Sequence, residues 1–129
     1  MGSNDKFATA SLDGTIKLWD SDYIVRTTCR ARKDQERGVV PLCLAYTDIV
    51  LSGWSDGKVC SHDDSGEPLW MIDNAHPGGV LTMVLSHNKR FILTGGPAGE
   101  VRLWELRTRD LVSHLKEHVQ IWDVAVERQ

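Results

Sequence analysis

No stretch of the sequence approaches a run of about 18 apolar residues, the length a membrane-spanning helix requires. The opening MGSNDKF holds no apolar segment of the kind a secretory signal needs. Neither a membrane span nor a leader is therefore expected. The same terminus begins Met-Gly, yet Lys6 stands where a myristoylation site wants Ser or Thr. Charge of one sign is also missing: a net charge of −3 and a pI near 5.9 supply no global reason to bind nucleic acid or an anionic membrane. Cysteine is scarce. Cys29, Cys43 and Cys60 are odd in number and show no C-x-x-C spacing, which argues against a disulfide framework. They read as small core residues of a protein kept in a reducing, cytoplasmic compartment.

What the chain does contain is a repeat. The segments FATASLDGTIKLWD from Phe7, VLSGWSDGKVCSHD from Val50 and ILTGGPAGEVRLWE from Ile92 align without gaps, and their turn glycines Gly14, Gly57 and Gly99 are 43 and 42 residues apart. That period belongs to a four-stranded propeller blade. A second marker keeps it: Ala75-His76 and Glu117-His118 are 42 residues apart, each preceding a short apolar run. The terminal Trp122-Asp123 lies only 18 residues after Trp104, out of phase, and so reads as part of the first strand of a further blade.

Each aligned segment reads as strand, tight turn, strand, here called b and c, because apolar residues flank an Asp-Gly or Ala-Gly pair suited to a hairpin. YIVRTTC, EPLWMID and DLVSHL follow polar turns and suit outer strands d. GVVPLCLAY and GVLTMVL are nearly continuous apolar runs, as an inner strand a requires when it is covered on both faces. Pro41 removes a ladder donor, so a bulge or ladder edge is expected there. The expected class is all-β: strands b-c-d of a first blade over 1–29, a second blade over 30–72, a third over 73–115, and a lone inner strand over 116–129. With about three blades, incomplete at both ends, the chain is expected to be part of a larger propeller. Its missing strands would come from the remaining blades or, less readily, from a second copy of the chain.

The segments resemble the WD-repeat family, in which a His before strand a, a Ser or Thr on strand b, an Asp in the b–c turn and a Trp on strand c form a hydrogen-bonded tetrad. The resemblance carries over position by position. The first blade supplies Thr9, Asp13 and Trp19, its His position lying upstream. The second supplies Ser52 and Asp56, with His62 in place of the Trp. The third supplies His76, Thr94 and Trp104, with Ala98 in place of the Asp, so His76 is expected to turn to a backbone carbonyl or water. His118 would open the fourth. A narrower resemblance rests on GWSDGKV, IDNAHPGGVLTMV, ILTGGPAGEVRLWEL and HLKEH. Following one another at this spacing, they are similar to the second propeller of the cilia- and flagella-associated WD-repeat proteins found inside the doublet microtubules of motile axonemes. That resemblance implies a non-catalytic scaffold in the cilium or flagellum, with tubulin and other axonemal proteins as partners and no cofactor. A general WD-repeat adaptor in a signalling or ubiquitin-ligase assembly is the alternative.

Sharper chemical readings fare poorly. GGPAGE lacks the Lys-Ser/Thr of a phosphate loop, and Glu100 would repel phosphate. Cys60, His62, Asp63 and Asp64 are metal-competent but divide between a strand and a turn. Ser52, Asp56 and His76 come from different blades and occupy tetrad positions rather than forming a hydrolytic triad. No catalytic or metal-binding residue is assigned. The one local concentration of charge, RARKDQERG, holds Arg30, Arg32, Lys33 and Arg37. It reads first as a solvated loop and second as a basic contact for an acidic partner surface. Trp70 on an outer strand reads first as packing between blades and second as an aromatic contact anchor.

Overall fold

The computed structural model describes residues 6–30 and 36–115, and no helix occurs among them. Their strands form three antiparallel sheets, each an up-and-down meander. The first is β1 (Phe7–Ala10), β2 (Ile16–Trp19) and β3 (Val25–Thr28). The second is β4 (Pro41–Tyr46), β5 (Val50–Trp54), β6 (Val59–His62) and β7 (Pro68–Ile72). The third is β8 (Thr82–Leu85), β9 (Phe91–Gly95), β10 (Val101–Glu105) and β11 (Leu111–Leu115). The stretch 116–129, where an inner strand with His118 and Trp122 is expected, lies outside the described residues.

One hairpin recurs. In each sheet a three-residue loop ends in a glycine with positive φ, at Gly14 (87°), Gly57 (89°) and Gly99 (83°), a left-handed conformation that an L side chain resists. Across each loop the first closing residue donates its amide to the carbonyl of the last: Ser11 to Thr15 (3.0 Å), Trp54 to Lys58 (2.9 Å) and Gly96 to Glu100 (3.1 Å). These closing pairs are equivalent by register, and they differ in chemistry at every repeat. That difference governs the buried networks described below.

The sheets stack face to face, with the inner strand β4 lying beside both β1 and β8. Side-chain alternation along β5 serves both interfaces. Val50 and Trp54 pack with Ile16, Leu18, Cys29 and Cys60 in the seam between the first and second sheets. Leu51 points the other way, to join Val59, Ile72, Val80, Ile92 and Trp104 between the second and third. All five residues of β5 are buried, as a strand covered on two faces demands. Outer strands differ: Leu69, Met71, Leu111 and Val112 are exposed on β7 and β11. At Pro41 the β4–β5 register slips between Pro41 and Cys43, a bulge where the ladder lacks its donor.

Polar contacts close the first seam. Arg26 of β3 donates to Oδ1 of Asp64 at 2.8 Å and to the Tyr46 hydroxyl at 2.6 Å, and that hydroxyl in turn donates to Asp64. The cysteines form no disulfide; Cys29 and Cys60 are buried and Cys43 is half-buried. Burial pushes the thiols of Cys29 and Cys43 up to about 11.

Candidate functional site

A buried polar constellation lies in the second seam and is built around His76. This residue precedes β8 in the link from the second sheet to the third, and its main chain is propped by the neighbouring hairpin: the amides of Ala75 and His76 both donate to the carbonyl of Gly57, at 3.0 and 3.2 Å. A Cβ at Gly57 would collide with the His76 carbonyl, so the turn needs glycine for this approach as well as for its φ.

The His76 ring is fully buried. Its Nε2 lies 2.7 Å from Oγ1 of Thr94 and its Nδ1 lies 3.0 Å from Oε1 of Glu100. The Trp104 indole N–H donates to the same Thr94 hydroxyl at 2.9 Å. One assignment of protons satisfies the indole, the hydroxyl and both ring nitrogens. The indole donates to Thr94, the Thr94 hydroxyl donates to Nε2, and Nδ1–H donates to the carboxylate. Desolvation is the largest influence on His76 and lowers its pKa, against the opposing pull of Glu100. The ring is therefore a neutral donor at pH 7, and its contact with Glu100 is a charge-assisted hydrogen bond rather than an ion pair. Glu100 itself is held below the usual carboxylate range. Desolvation, the largest effect, pushes it upward, but its own backbone amide and His76 together outweigh that push.

Glu100 was not anticipated. The expectation for His76 was a carbonyl or water, because Ala98 leaves the turn without its acid. The carboxylate instead arrives from the hairpin's closing pair. Glu100 is longer than Asp by one methylene and sits across from Gly96, whose missing side chain leaves the space that the carboxylate arm occupies. A Cβ on Gly96 would meet Oε1 of Glu100 and lie 2.7 Å from Nδ1 of His76. The available signal was this pairing of a glycine with an acid at the closing position.

The other sheets solve the same problem differently. In the first, the Trp19 indole donates to Oγ1 of Thr9 at 3.0 Å, as Trp104 does to Thr94. Asp13 turns back on its own hairpin, accepting from the Thr15 amide (3.0 Å) and hydroxyl (2.6 Å). In the second sheet, His62 stands opposite Val50, the register position of Trp19 opposite Phe7 and of Trp104 opposite Ile92. Its ring does not serve Ser52. Nε2–H donates to the Arg30 carbonyl at 3.1 Å, while Nδ1 is buried without a protein partner. Burial lowers the His62 pKa. Ser52 receives its indole from Trp54, two residues along the same strand and on the same face, at 2.8 Å. Asp56 accepts from the Lys58 amide at 3.4 Å. All three sheets thus place an indole N–H on a hydroxyl of strand b, the first strand of the b–c hairpin.

A tight Gly-ended hairpin, an indole on a strand hydroxyl, and a buried His ahead of the inner strand are the marks of one repeat family. A family model described as "WD domain, G-beta repeat" matches residues 2–20 and 66–105. The chain is a WD-repeat protein. Its sheets are propeller blades: the crystal structure of the C-terminal WD40 domain of Sif2 superposes over 84% of this chain and 33% of that one, with a TM-score of 0.71 at 14% identity. Among named proteins, cilia- and flagella-associated protein 52 of Chlamydomonas reinhardtii is 34% identical over 125 residues, covering 89% of this chain and 19% of the algal protein. The human protein of the same name is 35% identical over 72 residues, 54% of this chain and 12% of its own length. The WD-repeat chain is homologous to these proteins and spans between 12% and 19% of their length.

The remaining candidate residues fall as follows. Arg30 pairs with Glu67 at 3.3 Å on the surface; Arg37 is exposed in a turn; Arg32, Lys33 and His118 lie outside the described residues. The Trp70 ring is half-buried against the second seam, with the Arg109 guanidinium 5.6 Å from its centroid. The once metal-competent group is dispersed: Asp63 caps its turn through the Ser65 and Glu67 amides, and Asp64 is engaged by Arg26 and Tyr46.

Proposed function

We propose that this chain forms part of a WD-repeat propeller that serves as a non-catalytic contact platform in motile cilia or flagella. In this reading it is bound to tubulin and neighbouring axonemal proteins inside the doublet microtubules. The observation that carries the reading is the 34% identity, over 89% of this chain, to a protein named for cilia and flagella. The chemistry of the buried groups supports it. His76, Thr94 and Trp104 are each committed to hydrogen bonds inside the fold, and a scaffold needs rigid seams more than reactive groups. Its contacts would draw on the exposed basic residues Arg30 and Arg37, which complement the acidic surface of tubulin, and on the outer edge beside Trp70.

The test is localisation of the tagged full-length protein in ciliated or flagellated cells, followed by detergent and salt extraction of isolated axonemes. Retention along the extracted axoneme is the expected result. An even cell-body distribution, with release into the soluble fraction or co-purification with ubiquitin-ligase subunits, would overturn the reading in favour of an adaptor.

A further inference from the structure

The end of the third blade opposite its Gly-ended hairpin concentrates positive charge. Two turns meet there: residues 86–90 join β8 to β9 and residues 106–110 join β10 to β11, and the Leu106 amide donates to the Arg90 carbonyl at 2.8 Å. They hold Lys89, Arg90, Arg107 and Arg109, all exposed, against Asp110 and the neighbouring Glu105 at the end of β10. The corresponding turns of the other blades are acidic, with Asp20 and Asp22 in the first and Asp48, Asp63 and Asp64 in the second.

Two features set these cations apart from a solvated run of charge. Both arginines that flank the turns are braced on aromatic rings: the Arg90 guanidinium lies 5.1 Å from the centroid of Phe91, and that of Arg109 lies 5.6 Å from the centroid of Trp70 on the second blade. A guanidinium already held over a ring gives up less rotamer freedom when it receives a planar acceptor. Their protein partners are modest: Nη1 of Arg109 donates to the Arg107 carbonyl at 2.8 Å, and Nη2 of Arg90 stands 3.6 Å from Oε2 of Glu105.

The second feature is conformational. Lys89 and Arg109 both have φ of 62°, a left-handed conformation that a residue with a Cβ resists. Gly66 takes the place of Arg109 in the second blade, two residues ahead of the outer strand; in the first, Tyr23 takes it and sets its ring against Phe7. Strain of this kind persists where the side chain is put to use.

We propose that these two turns are a docking surface for a short acidic segment of a protein partner, whose Asp or Glu carboxylates pair with Arg90, Arg107 and Arg109 beside Lys89. Charge complementarity selects the chemistry, since the fork of a guanidinium matches a carboxylate. The extent of the patch selects its length. A nucleic acid or an anionic membrane would spread past one blade's turns and meet the aspartates of its neighbour, whereas a few carboxylates fit within the basic turns. The surface is separate from Arg30 and Arg37, and the inference goes beyond the axonemal reading and holds for whichever assembly the propeller serves.

The test is calorimetric titration of the full-length protein with acetyl-Gly-Glu-Glu-Glu-Glu-Gly-amide, with its all-Gln counterpart, and with a short oligothymidylate. Saturable binding of the Glu peptide and none of the Gln peptide are expected. The double variant Lys89→Gly, Arg109→Gly removes two of the cations while suiting the left-handed turns, and circular dichroism confirms that it is folded. It should bind the Glu peptide about tenfold more weakly, or worse. The proposal is overturned if the Glu peptide does not bind saturably, if the Gln peptide binds equally, if the folded double variant keeps full affinity, or if the oligothymidylate binds more tightly than the Glu peptide.

Discussion

Oε1 of Glu100 lies 3.0 Å from Nδ1 of His76, so the third blade receives its acid from across the hairpin rather than from the turn. The turn position holds Ala98, and the hairpin turns the same way as its siblings. The network is therefore complete by a different route. A buried imidazole needs an acceptor for its N–H and does not distinguish which backbone position supplies it, provided the geometry is met.

Glu100→Ala should destabilise the protein by about 1–3 kcal/mol, because it strands the buried Nδ1–H. Ala98→Asp alone should be close to neutral, since the site it would serve is already filled. In the double variant the turn aspartate can take over, and a double-mutant cycle from urea denaturation should show a favourable coupling of about 1 kcal/mol. Strict additivity of the two changes would show that an aspartate at 98 does not reach His76.

Gly96→Ala should cost about 1–3 kcal/mol through overpacking, because the new methyl lands on the Glu100 carboxylate. Removing that carboxylate removes the nearer contact and leaves the approach to Nδ1 of His76, so the cost of Gly96→Ala measured in a Glu100→Ala background should be smaller than in the parent. An equal cost in both backgrounds would place the strain in the backbone instead.

The hairpins were legible in the sequence because their chemistry is local: Asp-Gly or Ala-Gly at a fixed period implies a left-handed glycine wherever it occurs. The alternation along β5 was equally open to reading. The substitutions of Glu100 for the turn acid and of Trp54 for the strand-c indole were not, because both depend on which residues face one another across a closing pair or along one face. Matching position to position looks for the missing Asp and Trp only where the family keeps them. Gly96 opposite Glu100, and Trp54 two residues from Ser52, become informative once register is known.

Stability should fall as pH is lowered through about 6.5. Burial lowers the pKa of both His76 and His62 from the ordinary imidazole value of 6.5, so these rings stay neutral in the fold. The unfolded chain takes up protons first and is favoured as pH falls, which means the contribution of the neutral rings is full above the unfolded value and is lost toward the folded ones. The depressed carboxyl of Glu100 adds a further loss beginning near its unfolded value of 4.5. Thermal melts from pH 8 to pH 4 check this; a midpoint constant between pH 7 and pH 5 would contradict it.

Cys29 and Cys43 should resist alkylation in the native protein at pH 8, because burial holds their thiols near 11 and the thiolate is the reactive form. Labelling by iodoacetamide followed by mass spectrometry should therefore be slow until denaturant is added. Rapid modification of either in the folded state would contradict the packing described for the two seams.

The most direct measurement of the relay is the tautomer of His76, read from the 15N shifts of its ring in long-range 1H-15N spectra at pH 7. The geometry requires a neutral ring protonated at Nδ1, its proton held on Glu100 and its Nε2 accepting from Thr94, with the Nδ1–H signal shifted or lost in Glu100→Ala. A ring protonated at Nε2, or doubly protonated at that pH, would contradict the account.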